Sequence, residues 1–386
     1  MATSAIFLER SLTQSRPRAA DGAQVRDYGA ADVPAVAKLF NNAFRAQSGN
    51  NAQALESYLH ELFLNHPWQD PELASKVFVG GDGQVEGFIG VLPLRMSLDG
   101  RPVRAAVASS LMVKDAEKNP LAGARLLRSF LSGPQTLSLS ETSNPVAQRM
   151  WERLGGEALP MYSMEWLRVL APAQFAVSMM RGMARPFGIL QPLGAAIDTV
   201  LEKLGRNPLH LEAAPPTLDE DADPGDAALV DALMQLSANY SLRPDWDEEA
   251  LSRFLQHAAT KERHGVLVRR VVHGKRNVAV GCFLYYRRPG GVAFVLQVVA
   301  RPDARDLVID RLLNHTLRHG CIAVRGRATP AFQDALLRRK AIFLHRSSLT
   351  VYTRDSELLA SVRAGDALVT GLAGESWTRL IGDSFV

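Results

Sequence analysis

Apolar and polar positions recur along this chain with two periods, and the places where the period changes mark a succession of short elements. Residues 25–28 read as a short strand, Asp32 as the N-cap of a helix with Pro34 in its first turn, and 53–64 as a second helix. Residues 66–71 break the pattern. Strands over 76–79 and 85–92 flank Gly80-Gly81-Asp82-Gly83, and strands over 94–98 and 103–113 flank Asp99-Gly100, so two hairpins are expected. Beyond Leu111 and Val113, Leu126, Leu127, Phe130 and Leu131 recur at helical spacing, so a strand hands over to a helix opening near 120–123. A strand over 137–140, a helix from Asn144 stopped by Gly155, and a strand over 162–169 complete the first half.

The order then repeats. Helices over 227–240 and 247–258 precede strands over 265–272, 278–286 and 293–300, a helix over 307–319 ended by Gly320, a strand over 322–326 and a helix over 331–339. Val85-Glu86-Gly87-Phe88 corresponds to Val280-Gly281-Cys282-Phe283, Gly133 to Gly320, and Asn144-Pro145 to Thr329-Pro330, which points to an internal duplication of about 150 residues. Between the halves, 171–205 is apolar but broken by Pro186 and Pro192, a helical connector rather than a membrane span. The Pro-rich, acidic run 213–225 suits an exposed linker. The expected organisation is a flexible tail over 1–22, a first domain over 23–170, a connector and linker over 171–226, and a second domain over 227–386. The fold class is α/β of mixed α+β character, each domain a mixed, mostly antiparallel sheet flanked by helices.

Composition narrows the function. With 386 residues the chain can bury a sizeable core, and a formal charge of +4 with interspersed signs gives no nucleic-acid footprint. Cys282 and Cys321 stand far apart without metal-type spacing, so neither a disulfide framework nor a zinc site is indicated and a cytoplasmic setting fits. His315 and His319 share a helix face at i, i+4, but no third ligand accompanies them, and a solvated pair is expected. No Walker loop, dinucleotide-binding fingerprint or nucleophile elbow occurs. The opening of a helix presents unpaired N–H groups and the positive end of its dipole, so the junction at 120–123 is a candidate for holding phosphate.

The order of elements, with this strand-loop-helix and a later Asn-x-x-Ala-x-x-x-aromatic-x-x-x-Gly helix, resembles the GCN5-related N-acetyltransferase family over residues 24–170. That family's loop pattern falls on Lys118, Leu121 and Gly123, and its helix signature on Asn144, Ala147, Trp151 and Gly155. The resemblance implies an acyltransferase, with acetyl-CoA or another acyl-CoA as co-substrate and a small-molecule amine as acceptor. Leu111, Met112, Val113, Lys118, Leu121, Ala122, Gly123, Ala124, Asn144 and Trp151 would line the CoA site. Attack by the amine needs a base, for which Glu141 at the end of its strand is the candidate. Trp151 stands where the family commonly has a tyrosine acid, and an indole is no proton donor of that kind, which leaves Tyr162 as the nearby substitute. Ser109 and Ser110 on the central strand would orient substrate or satisfy local backbone groups. In the second half Asp303 and Asp306 occupy the corresponding turn and would repel phosphate, so that copy is expected to be degenerate. Two alternatives remain open: an acyl carrier protein as donor, given Leu121 in the place of a glycine, or a non-catalytic pair that only binds.

Overall fold

The computed structural model describes residues 22–44, 51–115, 117, 119–183, 223–381, 383 and 385. The expected tail, Lys118 and most of the connector and linker lie outside them. In the first half the chain runs β1 (Gln24–Asp27), α1 (Val33–Phe44), α2 (Ala52–Leu64), β2 (Lys76–Val79), β3 (Val85–Leu98), β4 (Arg101–Val113), α3 (Ala122–Leu131), β5 (Leu137–Ser143), α4 (Pro145–Arg153), β6 (Glu157–Ala158) and β7 (Met164–Val169). The second half gives β8 (Leu242–Pro244), β9 (Val266–His273), β10 (Ala279–Arg287), β11 (Val292–Ala300), β12 (Ala323–Arg327), β13 (Ile342–His345) and β14 (Ser348–Thr353). Helices Asp226–Ser237, Glu248–Ala259, Arg305–Arg318, Gln333–Arg338 and Ser356–Ala364 lie among these strands. No helix of the described residues is long and apolar enough to cross a membrane.

The strands form two mixed sheets, an eight-stranded one in the order β1-β2-β3-β4-β5-β14-β6 with β8 added to β3, and a six-stranded one in the order β13-β7-β12-β11-β10-β9. In each sheet one parallel pair, β4 with β5 and β11 with β12, sits among antiparallel neighbours. Apolar stripes such as Val36, Leu39 and Phe40 of α1, or Leu55, Leu59 and Leu62 of α2, are buried against the first sheet. Fully burying a side chain of this size contributes about 1.5–3 kcal/mol.

The structure adds β6, β8, β13, β14 and the helix Ser356–Ala364, none of them expected from the periodicity, and it departs from the expected strands in two further places. The strands expected over 85–92 and 94–98 are one, β3, which runs through Pro93. Proline is tolerated there because β2 pairs β3 only as far as Ile89 and β8 begins at Met96, so at Pro93 that edge has no ladder needing an N–H. The strand expected to close the first half is formed, but as β7 it pairs with β12 and β13 of the second sheet. In return β14 enters the first sheet between β5 and β6. The halves thus exchange a strand, which the period of each segment cannot reveal because it encodes strand propensity and not partner.

Residues after Ala364 complete the interior. Leu368, Leu372, Trp377 and Phe385 are buried, the segment reaching both sheets: Leu372 N donates to Gln297 Oε1 of β11 at 2.9 Å, and Gly371 N to Glu141 of β5 at 3.0 Å.

Candidate functional site

Hydrogen bonding between β4 and β5 is confined to three parallel pairs, Ala105 with Leu137, Ala106 with Ser138 and Val107 with Leu139. Past them the strands part, and a cavity of about 260 Å³ opens between Ala108, Ser110 and Leu111 on one side and Ser140, Thr142 and Ser143 on the other. On the β4 side the wall carries a bulge: Gly90 pairs with Ser109 and Phe88 with Met112, so Ser110 and Leu111 both stand opposite Ile89. Ser110 adopts φ 52°, a left-handed conformation that is strained for a side-chain-bearing residue and re-aims the backbone beside the cleft. The other walls come from Phe40 and Phe44 of α1, Leu127 of α3, Trp151 of α4, and Glu375, Leu380 and Ile381 near the C-terminal end.

Two helices open near this cleft. α3 begins with no side-chain cap; of its first N–H groups that of Ala122 donates to Asn119 O at 3.1 Å, and the positive end of the helix dipole favours an anion beside the others. Leu121, in the place of a glycine, is 69% exposed and turns its side chain to solvent, so it does not block the turn. At Gly123 an added Cβ would stand 3.6 Å from Met150 Sδ, an ordinary contact, so the fold itself does not require glycine there. α4 is capped by Asn144, whose side chain accepts from Val146 N and Ala147 N at 3.0 and 2.9 Å.

The structure brings only part of the expected set to the cleft. Leu111, Asn144 and Trp151 line it. Met112 faces the other side of β4 and packs in the main core with Phe88, while Val113, Leu121, Ala122, Gly123 and Ala124 form the strand-to-helix junction. Lys118 lies outside the described residues. Tyr162 is buried away from the lining, its hydroxyl donating to Ala367 O at 3.0 Å, and burial pushes its proton affinity up. Glu141 is 1% exposed and does not line the cleft either. Its Oε1 accepts from Gly371 N and Ser376 Oγ, and its Oε2 from Glu375 N and Ser376 N, at 2.7–3.0 Å. With four donors in place, the Glu141 carboxylate is committed to the segment it holds.

That segment supplies the group that sequence reasoning missed. Glu375 is 1% exposed and lines the cleft; Thr142 Oγ1 donates to its Oε1 at 2.7 Å, and among the described residues its Oε2 has no hydrogen-bond partner. Burial pushes the carboxyl up to about 7 against the help of the Ser109 and Thr142 hydroxyls, the nearby Glu141 charge adds to the rise, and Arg327 opposes it. The signal available in the sequence was a lone acid in the otherwise apolar and small-residue run 367–377.

The second half contains the same parallel pair, but its cleft, bounded by Val295, Gln297, Arg327, Thr329 and Phe332, is reduced to about 20 Å³. Asp306 at the opening of its helix is bound to Arg338 and Arg339. The histidine pair is not solvated as expected: His315 is 2% exposed, with Tyr285 OH 2.8 Å from its Nδ1, and His319 Nε2 lies 3.2 Å from its Nε2. Among the described residues no cluster of three or more metal-ligating side chains occurs.

No family model matches the sequence, and no curated protein matches it either. Solved structures do. A probable N-acyltransferase of unknown function from Enterococcus faecalis superposes with a TM-score of 0.55 at 11% identity over 86% of this chain and 72% of its own. A GCN5-related N-acetyltransferase from Anabaena variabilis gives 0.55 at 12% identity over 86% and 73%. Another from Kribbella flavida gives 0.50 at 12% identity over 87% and 72%. At such identities the likeness is one of fold, and the chain has the fold of the GCN5-related N-acetyltransferases.

Proposed function

We propose that the protein is an N-acyltransferase that moves an acyl group from acyl-CoA to an amine in the cleft between β4 and β5, with Glu375 as the general base. The observation that carries this reading is the Glu375 carboxyl, buried in the cleft wall and poised at about 7, where a base serves an amine at neutral pH. Backbone N–H groups at the opening of α3, those of Leu121, Gly123 and Ala124, would hold the pyrophosphate, and the bulge at Ser110 and Leu111 would offer backbone N–H to the acyl carbonyl. Bound acyl-CoA supplies an activated thioester. Glu375 takes the proton from the amine; the freed lone pair forms the C–N bond, the C–S bond breaks, and its electrons leave with sulfur as the thiolate. Among hydroxyls at the cleft, those of Ser140 and Ser143 would hydrogen-bond the departing sulfur, a task that Trp151 and Tyr162 are ill suited to perform by proton donation.

The acyl group is proposed to be short, acetyl before longer chains, because about 260 Å³ must hold both the thioester end of CoA and the amine. The two free, buried cysteines, Cys282 and Cys321, support a cytoplasmic setting. A thiol-release assay with acetyl-CoA, longer acyl-CoAs and a panel of amines tests the reading. Amine-dependent thiol release, lost in Glu375→Gln, is expected. Saturable CoA binding by calorimetry with no release for any amine would replace the enzyme by a binding module.

A further inference from the structure

We propose that Glu141 is a positioning residue for this reaction: its carboxylate clamps the 371–376 segment so that the Glu375 side chain is held at the cleft. The inference rests on Glu375 being the base. It explains a buried acid that the chemistry itself does not use.

Three observations carry it. All four hydrogen bonds to Glu141 come from one short segment, one of them from the backbone N–H of Glu375 itself at 2.8 Å. The approach is close enough to demand glycine: an added Cβ on Gly374 would stand 2.2 Å from Glu141 Oε2, and Gly371 takes φ 71° beside Gln297. The segment is held at its far side as well, where Lys261 Nζ, fully buried, donates to Ser376 O at 2.6 Å. Only a carboxylate offers acceptors alone at both of its atoms; in either orientation glutamine would turn an NH₂ toward at least one of the N–H donors and leave it unsatisfied.

The clamp has an electrostatic consequence. Glu375 is faced by Glu141 from β5, by Arg327 from β12 and by Lys261 after helix Glu248–Ala259, with Asp383 beyond the lysine, and by the hydroxyls of Ser109 and Thr142. The fixed negative charge of Glu141 disfavours a second negative charge at Glu375 and so keeps the base strong. Removing that charge makes Glu375 ionise at lower pH and leaves it a weaker base, while loosening the backbone that aims it.

The test uses full-length protein labelled with carboxyl-¹³C glutamate, the Glu375 signal being identified by its loss in Glu375→Gln. In the wild type this carboxyl is expected to titrate near 7. Glu141→Gln should lower the midpoint by about one pH unit or more, speed amide exchange at residues 371, 375 and 376, and cut kcat about tenfold or more, with CoA affinity by calorimetry unchanged. Glu141→Asp, which keeps the charge, should restore most of the midpoint. Ser376→Ala removes one donor and should act in the same direction to a smaller extent, which keeps the test open should Glu141→Gln not fold. An unmoved midpoint in both Glu141→Gln and Ser376→Ala would overturn the clamp. A normal midpoint shift together with wild-type turnover in Glu375→Gln would instead overturn the base assignment, and with it the clamp's role in the reaction.

Discussion

Replacing Glu375 by glutamine should separate activity from stability in opposite directions. The buried carboxyl is pushed from 4.5 to about 7, so its ionised form is disfavoured in the folded protein. The stability this group contributes is fully present below the unfolded value and is lost as pH rises through about 7, a cost of about 3 kcal/mol once ionisation is complete. Glutamine keeps an acceptor for Thr142 Oγ1 and cannot ionise. Glu375→Gln is therefore expected to be more stable than the wild type at pH 8, by up to about 3 kcal/mol or a few degrees in Tm, and indistinguishable near pH 4. Turnover should fall by about 10²–10⁴, the usual range for loss of a general base. In the wild type, kcat/KM should fall about tenfold per pH unit below about 7 as Glu375 protonates, and the variant should lose that limb. Thermal unfolding from pH 4 to 9 with the thiol-release profile over the same range reads both effects. A variant with unchanged turnover, or an acid limb that persists in it, would refute the reasoning.

Gly123→Ala adds a Cβ that the fold accommodates and removes the flexibility of a helical glycine, so it should raise stability by about 0.5–1 kcal/mol while weakening CoA binding about tenfold. Calorimetry reads both the affinity and the stoichiometry, and one site per chain is expected because the second cleft measures only about 20 Å³; a second site would show that it opens. Ser110→Gly should relieve the left-handed strain by about 1 kcal/mol and Ser110→Val should add about as much, while both lower kcat by disturbing the bulge; equal turnover in all three proteins would remove the bulge from the mechanism.

The sequence by itself determined most of the local elements. The amphipathic stripes of α1 and α2, the strand β4, the opening of α3 at Ala122 and the Asn144 cap of α4 are encoded within a few residues of where they occur, because helix and strand periods, caps and turn glycines are local properties. The junction at Leu121 to Ala124 was legible for the same reason. What only the tertiary structure decided is which edges meet. The exchange of β7 and β14 follows from free sheet edges in space: β7 read in sequence as an ordinary member of its own half, and β14 was not foreseen as a strand. The same holds for the candidate base. Glu141 and Glu375 are 234 residues apart, joined by a hydrogen bond of 2.8 Å, and their local sequences mark either equally as a polar residue near a strand end or a turn. Burial and long-range pairing distinguish them: one carboxylate meets four donors and is proposed as a clamp, while the other has, among the described residues, an unpartnered oxygen at the cleft wall. Proton affinity is set by desolvation and neighbouring charge, which exist only once the C-terminal segment has threaded between the two sheets.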